Sequence, residues 1–295
     1  QLAAAASFAS QDGASNTNKP IRVGSRGDDG SVSQSNSVSS EADSSNDNDL
    51  RQSIDQDPSS SDGHGCGCDS TGIQVASQDA YNAQGAFSLS KAEQEHAKND
   101  NAPIRVGSKG DDGRVSQSND VSSEAEAKND NDTKQDIDQD IHGASGTGIQ
   151  TADQKASNAQ LAAAASFASQ DGASNSNKPI RVGSRGDGGS VSQSNSVSSE
   201  AESKNDNDTH QSVDQDQSGS KDGHGCGCDS TGIQTATQKA NSEQAALSLS
   251  AAEQDFGKSE CGCHSGGNTN APIRVGSKGD DGRVSQSNDV SSEAT

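Results

Sequence analysis

Three Cys-Gly-Cys pairs, each with a histidine nearby, carry the sharpest chemical signal in this chain. They are Cys66 and Cys68 with His64, Cys226 and Cys228 with His224, and Cys261 and Cys263 with His264. Thiolate and imidazole could bind Zn or Cu(I), but the spacing is not that of a zinc ribbon and each cluster offers only three such ligands. Cysteines in pairs also suit disulfides in an oxidising, extracellular setting. Disulfides are therefore the favoured prediction, with metal binding and free thiols as alternatives.

A second candidate site is the acidic Gly-Asp-Asp-Gly turn that contains Asp28 and Asp29. Carboxylate oxygens of this kind could bind Ca²⁺. The turn also completes an Arg26-Gly27-Asp28 tripeptide of the integrin-binding type, but the type B modules have Lys-Gly-Asp at the same place, so a generic charged turn is the favoured interpretation. A solvated acidic surface is the simpler interpretation, so these residues remain weak metal candidates.

Catalytic chemistry has little support in the sequence. Serine is abundant throughout, so no serine stands out as a nucleophile, and the six histidines show no common pairing with a carboxylate. There is no phosphate-binding loop. We therefore predict a protein that is not an enzyme and that has no cofactor and no small-molecule substrate.

The composition excludes an ordinary apolar core. Only 26% of the residues are hydrophobic, 2% are aromatic, and the net charge is -22. Burial of so little apolar surface would not offset the backbone entropy lost on folding, about 1–2 kcal/mol per residue. The acidic charge disfavours nucleic acid, and no apolar run reaches the ~20 residues of a membrane span. Because the chain starts at Gln1 and stops within a repeat, we expect a removed leader and a longer repeat protein.

The sequence segments that would form the structural elements around these residues occur four times. The phrase Pro-Ile-Arg-Val-Gly-Ser recurs at 20–25, 103–108, 179–184 and 272–277. It divides the chain into modules of alternating type: 1–83 (type A), 84–159 (type B), 160–243 (type A) and 244–295 (type B, shorter). Self-similar chains of this kind bury surface by stacking their copies.

A two-residue period predicts that each module consists of β-strands. Amide and alanine side chains share one phase over long runs, with Gln74, Gln78 and Gln84 in the first run, Gln154 and Gln160 in the second, and Gln238 and Gln244 in the third. Successive side chains of a strand point to opposite faces, whereas a helix would spread these glutamines around its circumference. Such a run would span roughly 70 Å, so we expect it to bend into two strands. Alanine favours helix in 1–10 and 160–169, but the matched glutamine spacing favours an extended chain there too.

Stacking the modules ~4.8 Å apart would place identical amides over one another. The predicted columns are Gln34, Gln117, Gln193, Gln286 and Asn36, Asn119, Asn195, Asn288. Each amide would donate to one neighbour and accept from the other, which satisfies buried polar groups. Type B charges such as Asp120 would meet type A serines such as Ser37, which would keep like charges two layers apart. Ordinary divergence between duplicated modules explains this difference equally well. The predicted fold is all-β: a β-solenoid-like stack, or stacked cross-β modules, with Gln, Asn, Ser and Ala inside.

In these phases the chain resembles curlin-type fibre subunits and other β-solenoids with Gln/Asn ladders. The likeness is carried by segments such as Gln154-Lys155-Ala156-Ser157-Asn158-Ala159-Gln160 and covers about half of each module. The resemblance implies an extracellular and very resistant fibre. We therefore predict a structural subunit of an extracellular filament, sheath or appendage, which polymerises with copies of itself and is locked by cysteine loops. The alternative is a monomeric, secreted surface protein that binds Ca²⁺ or another metal.

Overall fold

The computed structural model describes residues 1–57, 72–142, 147–218, 231–256, 267–280 and 282–295. Within this described part of the chain every regular element is a β-strand. The all-β prediction is therefore confirmed.

The predicted cysteine chemistry falls in the remaining segments. The six residues predicted to form disulfides lie outside the described residues, and so do the histidines beside them: Cys66, Cys68, Cys226, Cys228, Cys261, Cys263, His64, His224 and His264. Disulfides, bound metal and free thiols therefore all stay predictions for Cys66 and Cys68, for Cys226 and Cys228, and for Cys261 and Cys263.

The strands form four layers, and each layer has two short strands between two long ones. Layer one contains β1 (Leu2–Asp12), β2 (Ser15–Asn18), β3 (Ile21–Val23) and β4 (Val32–Gln56). Layer two contains β5 (Gly72–Glu95), β6 (Lys98–Asn101), β7 (Ile104–Val106) and β8 (Val115–His142). Layer three contains β9 (Thr147–Asp171), β10 (Ser174–Asn177), β11 (Ile180–Val182) and β12 (Val191–Ser218). Layer four contains β13 (Thr231–Asp255), β14 (Gly267–Asn270), β15 (Ile273–Val275) and β16 (Val284–Ala294).

Equivalent strands of the layers pair in parallel and in register, which gives four sheets of four strands. We call β1-β5-β9-β13 the first long sheet and β4-β8-β12-β16 the second long sheet. The register places each residue over its sequence equivalent, as with Gln34 over Gln117 and Gln117 over Gln193. The repeats of the sequence thus become columns that run through the stack, as a β-solenoid requires.

Alternation of inward and outward side chains explains why these sequences form strands. In β4, residues from Gln34 to Asn46 alternate strictly between exposed and buried, with the amides, Val38 and the alanine inside. The alanine-rich start of the chain forms β1 rather than a helix, because its backbone pairs with β5 along its whole length. Helix propensity is a weak preference of less than about 1 kcal/mol per residue, and tertiary pairing overrides it.

One prediction about strand length was wrong. The run from Gln74 to Gln94 was expected to bend into two strands, but β5 is one strand of 24 residues. It remains one continuous strand because β9 pairs with it residue by residue from Gly72 to Glu95. The residues at which sequence modules begin, Gln84, Gln160 and Gln244, therefore lie inside long strands.

The two long sheets pack face to face over small side chains. One cluster consists of alanines from both sheets, and a second joins Val38, Val121 and Val197 to alanines of the first long sheet. Short side chains let the amides of one sheet reach the backbone of the other: the Nε2 of Gln154 is 2.9 Å from the carbonyl oxygen of Ser212. The interior is thus held by contacts between backbones and amides rather than by large apolar groups.

Glycine allows the layers to approach each other closely at the charged turns, which are residues 26–30, 109–113, 185–189 and 278–282. Gly110 has a φ of 125°, a conformation that L side chains rarely adopt, and a Cβ there would overlap the carbonyl oxygen of Gly27 in the layer below. The Lys-Gly-Asp and Arg-Gly-Asp turns can therefore stack only with glycine at this position.

Candidate functional site

The predicted glutamine column is a continuous hydrogen-bonded ladder. The Nε2 of Gln117 donates to the Oε1 of Gln34 at 2.7 Å. Gln193 donates to Gln117 at 2.8 Å, and Gln286 donates to Gln193 at 2.6 Å. Each glutamine of this column therefore donates toward the start of the chain.

The predicted asparagine column runs in the opposite sense. The Nδ2 of Asn36 donates to the Oδ1 of Asn119 at 2.9 Å, and Asn119 donates to Asn195 at 2.9 Å. Asn195 then donates to Asn288 at 3.0 Å. Adjacent columns of amides therefore have opposed dipoles, and their fields partly cancel inside the stack.

The same two directions hold for the other columns of the described residues in which equivalent amides bond to one another; Asn82 and Asn158 also overlie each other, but they donate to Asn131 and Thr209 of the second long sheet instead. In the first long sheet, each predicted glutamine accepts a hydrogen bond from its equivalent in the next layer. The lower step joins Gln150 to Gln74, Gln154 to Gln78 and Gln160 to Gln84. The upper step joins Gln234 to Gln150, Gln238 to Gln154 and Gln244 to Gln160. Three further glutamine columns start at Gln11, Gln52 and Gln56 and donate in the same sense. Four further asparagine columns start at Asn16, Asn18, Asn46 and Asn48 and donate toward the end of the chain.

The columns that begin at Asn16 and Asn18 were not among the predicted site residues. Their signal is present in the sequence: an Asn-x-Asn stands just before the Pro-Ile-Arg phrase in all four modules. Each amide of the Asn16 column also bonds to the long strand that follows in its layer, as Asn99 of β6 does by donating to the carbonyl oxygen of Ser118 in β8 at 2.8 Å. Short strands thus join the ladder system at the corner of every layer.

Complete satisfaction of the buried amides makes the interior stable. The side chain of Gln154 is fully buried, and its Nε2 lies 3.0 Å from Gln78 Oε1, 3.0 Å from the carbonyl oxygen of Gln135 and 2.9 Å from that of Ser212. A buried amide that loses such partners costs about 1–3 kcal/mol. Every added layer satisfies the amides of the one beneath it.

The outer face of the second long sheet carries columns of acids. Glu41, Glu124, Glu200 and Glu293 lie over one another, and Asp55, Asp138 and Asp214 form another column. Partial desolvation raises the pKa of Glu124 above its ordinary value, and repulsion from Glu200 and Glu41 adds to the effect. The pKa of Asp138 is raised in the same way, first by desolvation and then by Asp214 and Asp55.

The outer face of the first long sheet is apolar in one half. We call this half the apolar face; its outward residues are Leu2, Ala4, Ala6, Phe8, Gly85, Phe87, Leu89, Lys91, Leu161, Ala163, Ala165, Phe167, Ala245, Leu247, Leu249 and Ala251. Lys91 is its single charge. Leu2 is 74% exposed and Leu247 is 65% exposed. Contiguous apolar surface of this kind marks an interaction site.

The carboxylates of Asp28 and Asp29, the predicted calcium candidates, have hydrogen-bond and ion-pair partners within the stack. The carboxylate of Asp28 accepts from the backbone N–H of Asp111 at 2.8 Å, and Asp29 pairs with the Nε of Arg22 at 2.9 Å. In the described part of the chain, the residues whose ligand atoms could share a metal ion are Asp12, Glu95 and His96. This cluster was not predicted. His96, with a φ of 54°, stands at a turn where layers one and three have Gly13 and Gly172.

No family model, curated protein or solved structure matches this chain. The likeness to Gln/Asn-ladder β-solenoids therefore rests on the stacked strands and the buried amide ladders alone. None of the described residues belongs to a helix with the length and hydropathy of a membrane span.

Proposed function

We propose that this protein is a structural subunit of an extracellular filament and assembles end to end by adding layers to its stack. Copies of the same chain are the partner, and no nucleic acid, membrane or small-molecule substrate is required. The observation that carries the proposal is the opposed polarity of the glutamine and asparagine columns. Layer one offers glutamine donors and asparagine acceptors, and layer four offers glutamine acceptors and asparagine donors. The two ends are therefore complementary to each other.

The end-to-end junction would reproduce part of a junction that already exists inside the chain. Layer four carries the type B phrase and layer one the type A phrase, so their contact would repeat the step from layer two to layer three along β1 and β16, which have 11 residues each, whereas β5 has 24 and β8 has 28. The junction would pair β13 with β1, β14 with β2, β15 with β3 and β16 with β4. Among the described residues no strand pairs with the outer edges of these strands. Such edges template the addition of further strands. A head-to-tail contact of this kind does not close and therefore produces a filament.

The apolar face supports lateral pairing of two filaments. Four strands ~4.8 Å apart and seven residues of ~3.3 Å give a footprint of roughly 450 Å². Two such faces would bury roughly 900 Å², below the ~1,200 Å² of stable interfaces. Single subunits would therefore pair weakly through it, and the contact would become stable when stacking repeats it. The acidic columns keep the opposite side of each filament apart.

The Cys-Gly-Cys loops are proposed to crosslink neighbouring loops or subunits by disulfides. Paired cysteines in a chain of this composition suit an extracellular setting, which also suits a resistant fibre. Bands of multiple chain length on non-reducing gels, which collapse with reductant, would agree with crosslinks between chains. Unlinked chains in filaments purified under oxidising conditions would contradict them.

Electron microscopy and sedimentation of the purified chain test the main proposal. We expect unbranched filaments with a ~4.8 Å cross-β repeat along the axis. Asn288→Asp places a charge on the exposed end of layer four, where a junction would have to bury it, so assembly should fall at least tenfold. Ser285→Asp puts the same charge on the outer side of the same strand and should assemble normally.

Circular dichroism and the unfolding temperature of the two variants should match those of the parent, because both positions are exposed. Filaments formed equally well by Asn288→Asp would contradict the end-to-end contact. Wild-type protein that stays monomeric at high concentration would contradict the filament itself.

The competing proposal, a monomeric metal-binding surface protein, is favoured by the cluster of Asp12, Glu95 and His96. It expects single particles whose β-type circular dichroism depends on Ca²⁺ or Zn²⁺. Retention of the full β signal after treatment with a chelator would exclude it. Titration of Zn²⁺ into Glu95→Gln and into the parent, followed calorimetrically, would show whether the cluster binds metal at all.

A further inference from the structure

A column of arginines, buried in the two middle layers, lies at the corner between the short strands and the second long sheet. Arg22, Arg105, Arg181 and Arg274 stand in β3, β7, β11 and β15 and overlie one another. Arg105 and Arg181 are each 1% exposed. Each arginine donates from Nη1 to a glycine carbonyl of its own charged turn, such as Gly27 for Arg22 at 2.7 Å. Arginine keeps its charge in proteins, so this column needs negative partners.

Aspartates of the charged turns supply these partners between layers. Asp29 lies 2.9 Å from the Nε of Arg22 and 3.6 Å from the Nε of Arg105. Asp112 lies 3.1 Å from Nη1 of Arg105 and 2.7 Å from Nη2 of Arg181. Each carboxylate thus bridges the arginine of its own layer and that of the next.

Layer three has glycine at this position. Its turn reads Gly-Asp-Gly-Gly where layers one and two read Gly-Asp-Asp-Gly. The backbone fixes the equivalence: the N–H of Gly188 donates to the carbonyl oxygen of Asp280 at 2.6 Å, as that of Asp112 does to Asp187 at 3.0 Å. Gly188 therefore occupies the aspartate position without the carboxylate.

The charges of this corner are unbalanced as a result. In layers one to three, three guanidinium groups face two carboxylates among the described residues that line the column. The Nε of Arg181 is buried and has no hydrogen-bond partner among the described residues, and the same is true of the Nε of Arg105, which lies 3.6 Å from Asp29. A buried excess positive charge of this kind is costly, and a bound anion relieves it.

A cavity of about 260 Å³ runs along this corner through all four layers and includes the position of Gly188. Arg181, Gly188 and Asp112 line it on the polar side, and Pro179 and Val191 line it on the apolar side. We propose that the protein binds a small monovalent anion, chloride or a carboxylate such as formate, beside Gly188. The anion takes the place of the aspartate carboxylate of the other layers and accepts from the guanidinium of Arg181. This site does not depend on filament assembly.

Chloride binding is measured by ³⁵Cl NMR line broadening on dilute protein that sedimentation shows to be unassembled. We expect the parent to broaden the line and sodium formate to compete, if both anions share the site. Gly188→Asp restores the carboxylate and should weaken chloride binding at least tenfold. Asp29 and Asp112 adopt the same backbone position, so this variant is expected to fold, which circular dichroism verifies.

Two matched variants separate the site from general charge and volume effects. Ser190→Asp adds the same charge at an exposed position of the same turn, and Gly188→Ala adds a side chain without charge. Both should retain chloride binding within about threefold of the parent. Equal loss in Ser190→Asp and Gly188→Asp, or the absence of broadening in the parent, would overturn the proposal. Displacement of chloride by formate supports a shared carboxylate position, and chloride broadening unaffected by formate would limit the site to halide.

Discussion

The two faces of strand β8 respond in opposite ways to the same stacking. Inside, Asn129 and Asn131 each donate to the equivalent residue of the next layer, at 2.8 and 2.7 Å. Outside, Asp130 and Asp132 lie over aspartates of both neighbouring layers. In-register parallel stacking amplifies whatever a side chain contributes, so a neutral amide gains from each layer and a like charge loses.

A comparison of free energies shows why the hydrogen bonds of the inner face outweigh the charge repulsion on the outer face. A buried amide without its partners costs about 1–3 kcal/mol, whereas two like charges near ~5 Å in water repel by about 1 kcal/mol or less. The repulsion is also screened by salt and by the movement of exposed side chains. The acidic face therefore costs less than the ladders contribute, and the pKa of Glu124, raised first by desolvation and then by repulsion from Glu200 and Glu41, agrees with such a cost.

A charge placed in the inner face should have the largest effect. Asn119 is fully buried and takes part in amide hydrogen bonds with Asn36, Asn99 and Asn195. Asn119→Asp should lower the free energy of unfolding by about 3–5 kcal/mol at pH 7, because it leaves a buried charge without a counter-ion. Chemical denaturation measures the change.

The matched control for this variant is Ser116→Asp on the outer face of the same strand, where the neighbouring layers carry only serine. Its expected effect is within about 0.5 kcal/mol. Similar losses in the two variants would show that the inner face has no special role.

Removal of one charge from the acidic face should stabilise the protein. The raised pKa of Glu124 means that the folded protein binds this proton more tightly than the unfolded chain does. The free energy of unfolding should therefore rise as the pH falls from 7 through the raised pKa toward the ordinary value of 4.5. Glu124→Gln should raise the free energy of unfolding at pH 7 by about 0.5 kcal/mol after allowance for solvent screening, and flatten this pH dependence.

The measurement is chemical denaturation of parent and variant at a series of pH values between about 7 and 5. An isosteric change outside the acid columns, Gln211→Glu, serves as the comparison, because a carboxylate in an amide ladder should lower the free energy of unfolding at pH 7 instead of raising it, and should steepen its rise as the pH falls. A parent that loses stability steadily as the pH falls over this range would contradict the proposed repulsion.

The smallest expected effect tests the alternation of charge between layers. The register places Ser37, Asp120, Ser196 and Asp289 in one column, so the aspartates stand two layers apart. Ser196→Asp would put three charges on consecutive layers and should cost about 0.5 kcal/mol at low salt. Ser192→Asp, in a column of serines, should cost less. If the two variants are equally stable at low salt, alternation between module types has no electrostatic role.

Much of the fold could be predicted because its signals are local and repeated. The two-residue period placed Gln34 and Asn36 on one face, and the repeated phrases aligned them with Gln117 and Asn119. The length of β5 could not be predicted, because pairing with an equally long neighbour, rather than any residue of its own, keeps it continuous. The Arg181 corner was also missed, since Arg181 and Asp112 belong to different modules and meet only across layers.

The sequence by itself determined which side chains face inward and that the chain repeats, because both follow from the order of residues along one strand. Only the tertiary structure decided the direction in which each amide column donates and which carboxylate each arginine shares. These depend on the register between layers and on the second hydrogen of each amide, which finds its acceptor on a facing strand. Neither partner is a neighbour in sequence, so no local pattern encodes the choice.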